Sequence, residues 1–470
     1  MTTTIAVKEE SGFFARTLAS LREVWDDLAG TERVSALKPD LNDRDLSTVR
    51  KQMAACLEGK GGEVSARQRA AALGQAYLSL SRDGRRRFLL LLAEEFGTKS
   101  EQVAEAMRQW QDAGDEGARH KAEQKLRTAL TAPRMALLTQ FNALPQGVKF
   151  LVDMRADILS FLREEPSLKP LDADLQALLV SWFDIGFLEM RAISWKSPAS
   201  LLEKLIEYEA VHEIRSWHDL RNRLESDRRL YAFFHPRMPE EPLIFVEVAL
   251  VNGIAGNVQS LLDESAPTGD PAAANTAIFY SISNTQKGLR GISFGNFLIK
   301  RVVEDLRRDL PNLKTFSTLS PIPGFRAWLD SAIAEGKPNI LTADDRKKLK
   351  EAVGTTVSKG QLPKLVASDW SSDPALSAAL KEPLTRLCAR YLVREKKGTS
   401  PLDPVARFHL HNGAQVERIN WLGDTSPKGF EQSCGMMVNY LYRLPDIEKN
   451  HEAFAADGTV VYSSAVKSLL

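Results

Sequence analysis

The sequence predicts a mixed α+β protein in two parts: an all-helical domain over residues 1–185, then a mixed β-sheet domain flanked by helices over residues 186–470. Three observations predict it. Before residue 185 the apolar side chains recur at helical spacing, and β-branched clusters are few. After Trp195, short runs rich in β-branched and aromatic residues appear between turn residues. Between two of those runs a glycine-rich stretch opens into an amphipathic helix. A chain of 470 residues is also too long for one ordinary core.

The helical part begins with Phe13, Leu18, Leu21, Val24, Trp25 and Leu28, which share one helical face. Gly59-Lys60-Gly61-Gly62 and Pro133 punctuate the run. Arg86–Phe96 reads as a buried helix introduced by Ser81-Arg82-Asp83-Gly84, and Leu171–Met190 as another apolar helix. No catalytic constellation stands out here, and all-helical domains of this kind serve as interfaces or covers.

In the second part Leu230–Phe234, Leu243–Val251 and Ala277–Ser283 read as strands, with a loop over Ser265–Asn275. Asn296–Arg308 is an amphipathic helix whose apolar positions are Phe297, Ile299, Val302, Val303 and Leu306. Leu313–Thr318 is the next strand. A helical stretch covers Gly324–Lys397, broken at Pro363 and Pro374, and strands return at Arg407–Leu410, Glu417–Trp421 and Met436–Leu444.

Composition narrows the function classes. Lys plus Arg is 62 against 61 for Asp plus Glu, so the net charge of +1 gives no footprint for nucleic acid. No run of about eighteen apolar residues exists, so no membrane span is expected. The three cysteines, Cys56, Cys388 and Cys434, form no C-x-x-C pair. That argues against a disulfide framework and against a cysteine zinc site, and no H-E-x-x-H motif is present, so no metal is expected. A soluble cytoplasmic protein is the expected setting. The N-terminus has no long apolar segment. The chain closes on Ser468-Leu469-Leu470, where a peroxisomal address would carry a positive charge at the middle position.

The most informative junction runs from Ala277 to Arg308. A strand leads into Gln286–Asn296 and then into a helix. Gly288, Gly291 and Gly295 let the backbone turn and approach a ligand, and a helix N-terminus offers free N–H groups to phosphate. Lys287, Arg290, Lys300 and Arg301 add positive charge. The spacing fits neither a dinucleotide fingerprint nor a Walker lysine. It resembles the pyrophosphate loop of the GNAT acetyltransferases, R/Q-x-x-G-x-G/A, with Ser293 where the longer form R-G-x-G-x-G has its middle glycine.

Three blocks extend that resemblance. They are His235-Pro236 to Asn257; Ala277–Phe325, with Leu319-Ser320-Pro321-Ile322-Pro323-Gly324-Phe325; and Asp403–Leu410 through Arg418-Ile419-Asn420-Trp421 to Asn439-Tyr440. Together they resemble the malonyl-CoA decarboxylases over about 230 residues of the C-terminal half. The resemblance implies a GNAT-like catalytic domain and conversion of malonyl-CoA to acetyl-CoA and CO2 in fatty acid metabolism. It also implies a homotetramer built partly through the helical domain. The family's catalytic serine falls on Ser320 and its catalytic histidine on His409. Its acyl-CoA loop falls on Arg290, Gly291, Ile292, Ser293, Phe294, Gly295 and Asn296. A substrate-side tyrosine falls on Tyr442, with Tyr440 the second choice.

Chemistry agrees with such a set. Loss of CO2 from malonyl-CoA leaves an enolate on the acetyl thioester. A site therefore needs a donor at the thioester oxygen and an acid for C2. The thioester accepts the charge itself, so no cofactor is required beyond the coenzyme A of the substrate. Pro321 and Pro323 stiffen the loop that presents Ser320. His409 is read on a strand, with His411 a rival on the same face. On this reading His409 protonates C2 and Ser320 is its hydrogen-bond partner and proton acceptor. Asn412 and Asn420 are candidate supports, His235 a turn residue, and Cys434 a packed side chain. A CoA-dependent acyltransferase and a non-catalytic acyl-CoA sensor remain open from these residues.

Overall fold

The computed structural model describes residues 13–29, 37–58, 62–183, 185–292 and 297–470. It divides into two compact units. The first runs to Leu188 and takes in His235–Glu241 and the described residues of the stretch from Gln286 to Ile292; the second holds the remainder. Among the described residues no helix is long and apolar enough to cross a membrane.

The first unit is helical apart from the strand ends within His235–Glu241. Its helices include Asp43–Leu57, Gly62–Ser79, Arg82–Glu95, Arg134–Asn142, Gly147–Phe161 and Lys169–Trp182. Local chemistry sets their starts: Asn42, Ser81 and Asp115 each accept an N–H from the first turn that follows. Buried aromatic rings meet edge to face in the core, Phe150 against Trp25, Tyr77 and Phe141. The helix expected over Leu171–Met190 is shorter and ends at Trp182. Met190 instead lies on an edge strand, its backbone opposite Phe233, because sheet pairing overrides the apolar periodicity there.

The second unit is built on one mixed sheet. Its strands are β1 (Glu189–Ile193), β2 (Arg228–His235), β3 (Met238–Val251), β4 (Thr276–Asn284), β5 (Thr315–Thr318) and β6 (Ser320–Pro321). A two-stranded pair, β7 (Lys396–Lys397) and β8 (Ser400–Pro401), stands apart. β9 (Gln415–Asn420) and β10 (Met437–Leu441) complete it. The order is β1-β2-β3-β4-β5-β10-β6, with β9 on the other side of β10.

β4 pairs parallel with β5, and the crossover between them carries the helix Phe297–Asp309. That ladder runs from Thr276 opposite Thr315 to Phe279 opposite Thr318 and stops. β4 continues to Asn284. Meanwhile β6 stays in register with β5 along β10: Leu441 faces Ser317 and Val438 faces Ser320. The chain therefore leaves β4 while keeping β10, and the two parallel strands part just before Ser320.

Candidate active site

The gap left by the parting strands is a cavity of about 220 Å³. Phe279, Tyr280, Ile282 and Asn284 of β4 and Ile244 of β3 form one wall. Ser320 and Pro321 form the opposite wall, and Pro404, Val405, Phe408 and His409 close a third side. Val211 completes the lining.

Ser320 is only 5% exposed. Its hydroxyl donates to Thr318 Oγ1 at 2.8 Å and lies 3.2 Å from His409 Nε2. Thr318 Oγ1 also accepts the Tyr440 N–H at 3.0 Å. The Thr318 carbonyl accepts from Asn439 Nδ2 at 2.7 Å, and Asn420 Nδ2 donates in turn to Asn439 Oδ1 at 2.8 Å. The serine thus hangs from a chain of buried amides and hydroxyls rather than from a free turn.

His409 lies on a helix, Pro404–His411, and not on the strand expected over Arg407–Leu410. The reason is local. Asp403 caps the first turn, accepting from Val405 N at 3.0 Å and Ala406 N at 2.9 Å, and Pro404 stands at the first helical position. Asp-Pro before an apolar run is a helix-start signal that outweighs four residues of alternation. The helix also separates the two rival histidines. His409 is 3% exposed beside Ser320, whereas His411 lies outside and packs against the His451 ring.

Behind His409, Nδ1 lies 2.8 Å from the Tyr442 hydroxyl. The imidazole stacks on Tyr440 with ring centroids 4.6 Å apart. Tyr442 is buried and does not line the cavity, so its contact is with the imidazole. Burial raises the Tyr442 phenol well above its ordinary value and lowers His409 to about 3. Both side chains are therefore neutral near pH 7. The Ser320 proton points to Thr318, and among the described residues the Tyr442 hydroxyl has no acceptor other than Nδ1. This circuit puts the ring proton on Nε2, facing Ser320 and the cavity.

Several residues of this site escaped the sequence reading. Asp403, fully buried, accepts from the Tyr391 hydroxyl at 3.3 Å and from the Gly324 N–H, so one carboxylate joins the serine loop to the histidine helix. A Cβ on Gly324 would come within 2.2 Å of the Tyr391 hydroxyl oxygen, which explains the glycine there. Glu209 accepts from Val211 N at 2.6 Å, His212 N at 2.8 Å and the hydroxyls of Ser281 and Ser283. Lys428 Nζ holds the carbonyls of Ala210 and Val211 at 2.7 and 3.0 Å. These contacts pin the segment that brings Val211 to the cavity. The Asp403-Pro404 pair was a readable signal; Glu209 and Lys428 had none.

The remaining candidates lie elsewhere. Arg290, Gly291 and Ile292 belong to the first unit, with Gly291 at φ +80° and Arg290 exposed. Ser293, Phe294, Gly295 and Asn296 lie outside the described residues. His235 accepts from Arg237 N and faces the Trp182 carbonyl, a turn role. Asn412, which caps the C-terminus of the helix Pro404–His411, donates to the Phe408 carbonyl. Cys434 is a buried free thiol pushed up to about 12 by burial. Among the described residues no group of three or more His, Cys, Asp or Glu side chains is placed to hold a metal.

Comparison with known proteins gives consistent matches over nearly the whole chain. Residues 186–470 match the model for the malonyl-CoA decarboxylase C-terminal domain, and residues 96–183 match that for the N-terminal domain. The mitochondrial malonyl-CoA decarboxylase of Anser anser anser is 40% identical over 421 residues, covering 86% of this chain and 84% of that one. The Rattus norvegicus protein of the same name is 38% identical over 425 residues, 87% of this chain and 83% of its own. Crystal structures of malonyl-CoA decarboxylases from Rhodopseudomonas palustris and Agrobacterium vitis superpose with TM-scores of 0.81 and 0.80 at 42% and 43% identity. Each covers 90% of this chain and 99% of its own.

Proposed function

The chain belongs to the malonyl-CoA decarboxylase family, and we propose that it performs that reaction in the cavity where Ser320 meets His409. The protein is a carboxy-lyase that converts malonyl-CoA to acetyl-CoA and CO2. The observation that carries the site is the 3.2 Å approach of Ser320 Oγ to His409 Nε2 on the cavity wall.

The chemistry follows from the surroundings. The C–CO2 bond breaks and its electron pair moves into the thioester, giving an enolate that takes one proton at C2. Apolar walls from Ile244, Phe279, Ile282 and Phe408 replace water around the departing carboxylate, which favours neutral CO2 over the anion. His409 Nε2–H gives C2 its proton, Ser320 Oγ accepts the hydrogen bond from that N–H, and solvent returns a proton to His409 once CO2 has left. A positioned acid of this kind contributes roughly 10²–10⁴ in rate. The thioester takes up the charge, so neither a metal nor an organic cofactor enters the scheme. The edge of β4 beyond Phe279, where the β5 ladder has ended, suits the extended arm of coenzyme A, as in GNAT-like folds, and the segment Arg290–Asn296 is its phosphate loop. A homotetramer in the cytoplasm completes the reading, with light scattering the test of subunit number.

The experiment is incubation of purified protein with malonyl-CoA alone, with acetyl-CoA followed by chromatography. Wild type forms acetyl-CoA without any acceptor, and chelator leaves the rate unchanged. Ser320→Ala and His409→Asn each lose at least about a hundredfold. A folded wild type that binds coenzyme A and forms no acetyl-CoA would overturn the assignment.

A further inference from the structure

β9 pairs with β10 on one side, and on its other side only Val416 is bridged, to Tyr462. Beside the uncovered part of β9 lies an open cleft of about 610 Å³. Gly256 and Asn257 of the loop after β3, Lys381 of the helix Pro374–Val393, and Arg418, Asn420 and Trp421 line it. All of them belong to the second unit, and none lines the Ser320–His409 cavity. No carboxylate is among the described residues that line the cleft.

The carboxylates next in sequence to its two cations are committed elsewhere. Glu382 pairs with Lys348 at 2.7 Å, and Glu417 accepts from Gln415 Nε2 at 2.7 Å. Arg418 is fixed without an ion pair: its Nε donates to Asn420 Oδ1 at 2.8 Å and its Nη2 to the Ile254 carbonyl at 2.9 Å. Asn420 is held in turn, its Nδ2 on Asn439 Oδ1 at 2.8 Å. A Cβ on Gly256 would lie 3.2 Å from Arg418 Nη2, so the glycine lets the loop close on the guanidinium. The amide of Asn257 is oriented as well. Its Oδ1 accepts the Ser260 N–H at 2.9 Å and the Ser260 hydroxyl at 2.7 Å, so Nδ2 is the end it has to offer.

The cleft therefore collects Arg418 Nη1, Lys381 Nζ and Asn257 Nδ2, two charged donors and one neutral, with no negative side chain to balance them. Donors already fixed by the protein bind an anion with little further loss of side-chain freedom. We propose that this cleft is a binding site for a small oxyanion, a phosphate or a carboxylate, held by Arg418, Lys381 and Asn257. The site is separate from the decarboxylation chemistry and does not depend on the roles of Ser320 and His409.

The test titrates the full-length protein with inorganic phosphate and, separately, with succinate, at an ionic strength held constant with sodium chloride. Calorimetric heat and tryptophan fluorescence are read together, because Trp421 lines the cleft and packs against Trp370 with ring centroids 5.2 Å apart. The expected result is saturable binding above the chloride background, weakened about tenfold or more in Arg418→Gln and in Lys381→Met. Trp421→Phe should lose the fluorescence change and keep the heat. Tighter binding of phosphate assigns the site to phosphates, and tighter binding of succinate assigns it to carboxylates. Equal affinities in wild type, Arg418→Gln and Lys381→Met would place the anion elsewhere and overturn the proposal, as would titrations that match chloride. If circular dichroism shows Arg418→Gln unfolded, Lys381→Met decides, since Lys381 is exposed.

Discussion

The Tyr442 hydroxyl meets Nδ1 of His409 at 2.8 Å from behind the imidazole, outside the cavity that Ser320 and His409 share. A tyrosine here occupies the place that an orienting carboxylate has beside many catalytic histidines. The difference is electrostatic. A neutral phenol donates to Nδ1 and fixes the Nε2–H form without raising the charge of a fully buried ring.

Tyr442→Phe should therefore lower kcat about 10–100-fold, the cost of one buried hydrogen bond at a reacting group, with little change in KM. Steady-state kinetics on malonyl-CoA check it. A rise in KM at constant kcat would instead place the hydroxyl on the substrate.

Thr318 ties the serine to the sheet, because its Oγ1 accepts from both Ser320 and the Tyr440 N–H. Thr318→Val keeps the shape and removes the acceptor, leaving a buried N–H unpaired at a cost of about 1–3 kcal/mol. Chemical denaturation should show that loss together with a lower kcat. Thr318→Ser should restore both, which a shape effect alone would not.

The candidate residues of this site came from the resemblance of short motifs to a family, and residue type and local spacing alone reached less far, for physical reasons. Pro321 placed Ser320 on a stiff loop, but the choice of Ser320 and of His409, read on a strand, came from the family resemblance. The element that carries His409 was misread, because four residues of apolar alternation look alike in a strand and in a short helix. Met190 was misplaced for a related reason: an apolar residue continuing a helical pattern was claimed by a neighbouring strand. Thr318 and Glu209 were out of reach. Thr318 matters through Tyr440, 122 residues on, and Glu209 through Ser281, 72 residues on. The pairing of β5 with β10 brings the first two together, and the segment after Glu209 lying on β4 brings the second two. The sheet class itself was accessible because β-branched runs between turns state it locally.

Asp403 joins the serine loop to the histidine helix through one carboxylate, capping the His409 helix while accepting from the Gly324 N–H and the Tyr391 hydroxyl. Asp403→Ala should lose about 1–2 kcal/mol for the cap alone. It should also lower kcat, since helix and loop then move independently. Asp403→Asn retains one acceptor oxygen for the cap and should fall between the two in both thermal melts and turnover.

Acid stability gives a further test, with a definite sign. Burial lowers His409 to about 3 and His212 to about 4, while an unfolded histidine titrates near 6.5. Below about pH 6.5 the unfolded chain therefore binds protons that the native chain refuses, so stability is fully present above that pH and is lost as pH falls toward 3. Each such histidine adds a slope of about 1.4 kcal/mol per pH unit inside its own window. Urea midpoints for wild type should drop steeply between pH 6.5 and 4.5. His409→Asn should have a shallower slope by about one proton, and His409→Asn combined with His212→Asn by about two. The comparison between variants cancels the buried carboxyl Asp403, whose upward shift acts in the opposite sense. Equal slopes in wild type and His409→Asn would mean that the imidazole is already protonated in the native site, and the neutral Nε2–H form would have to be abandoned.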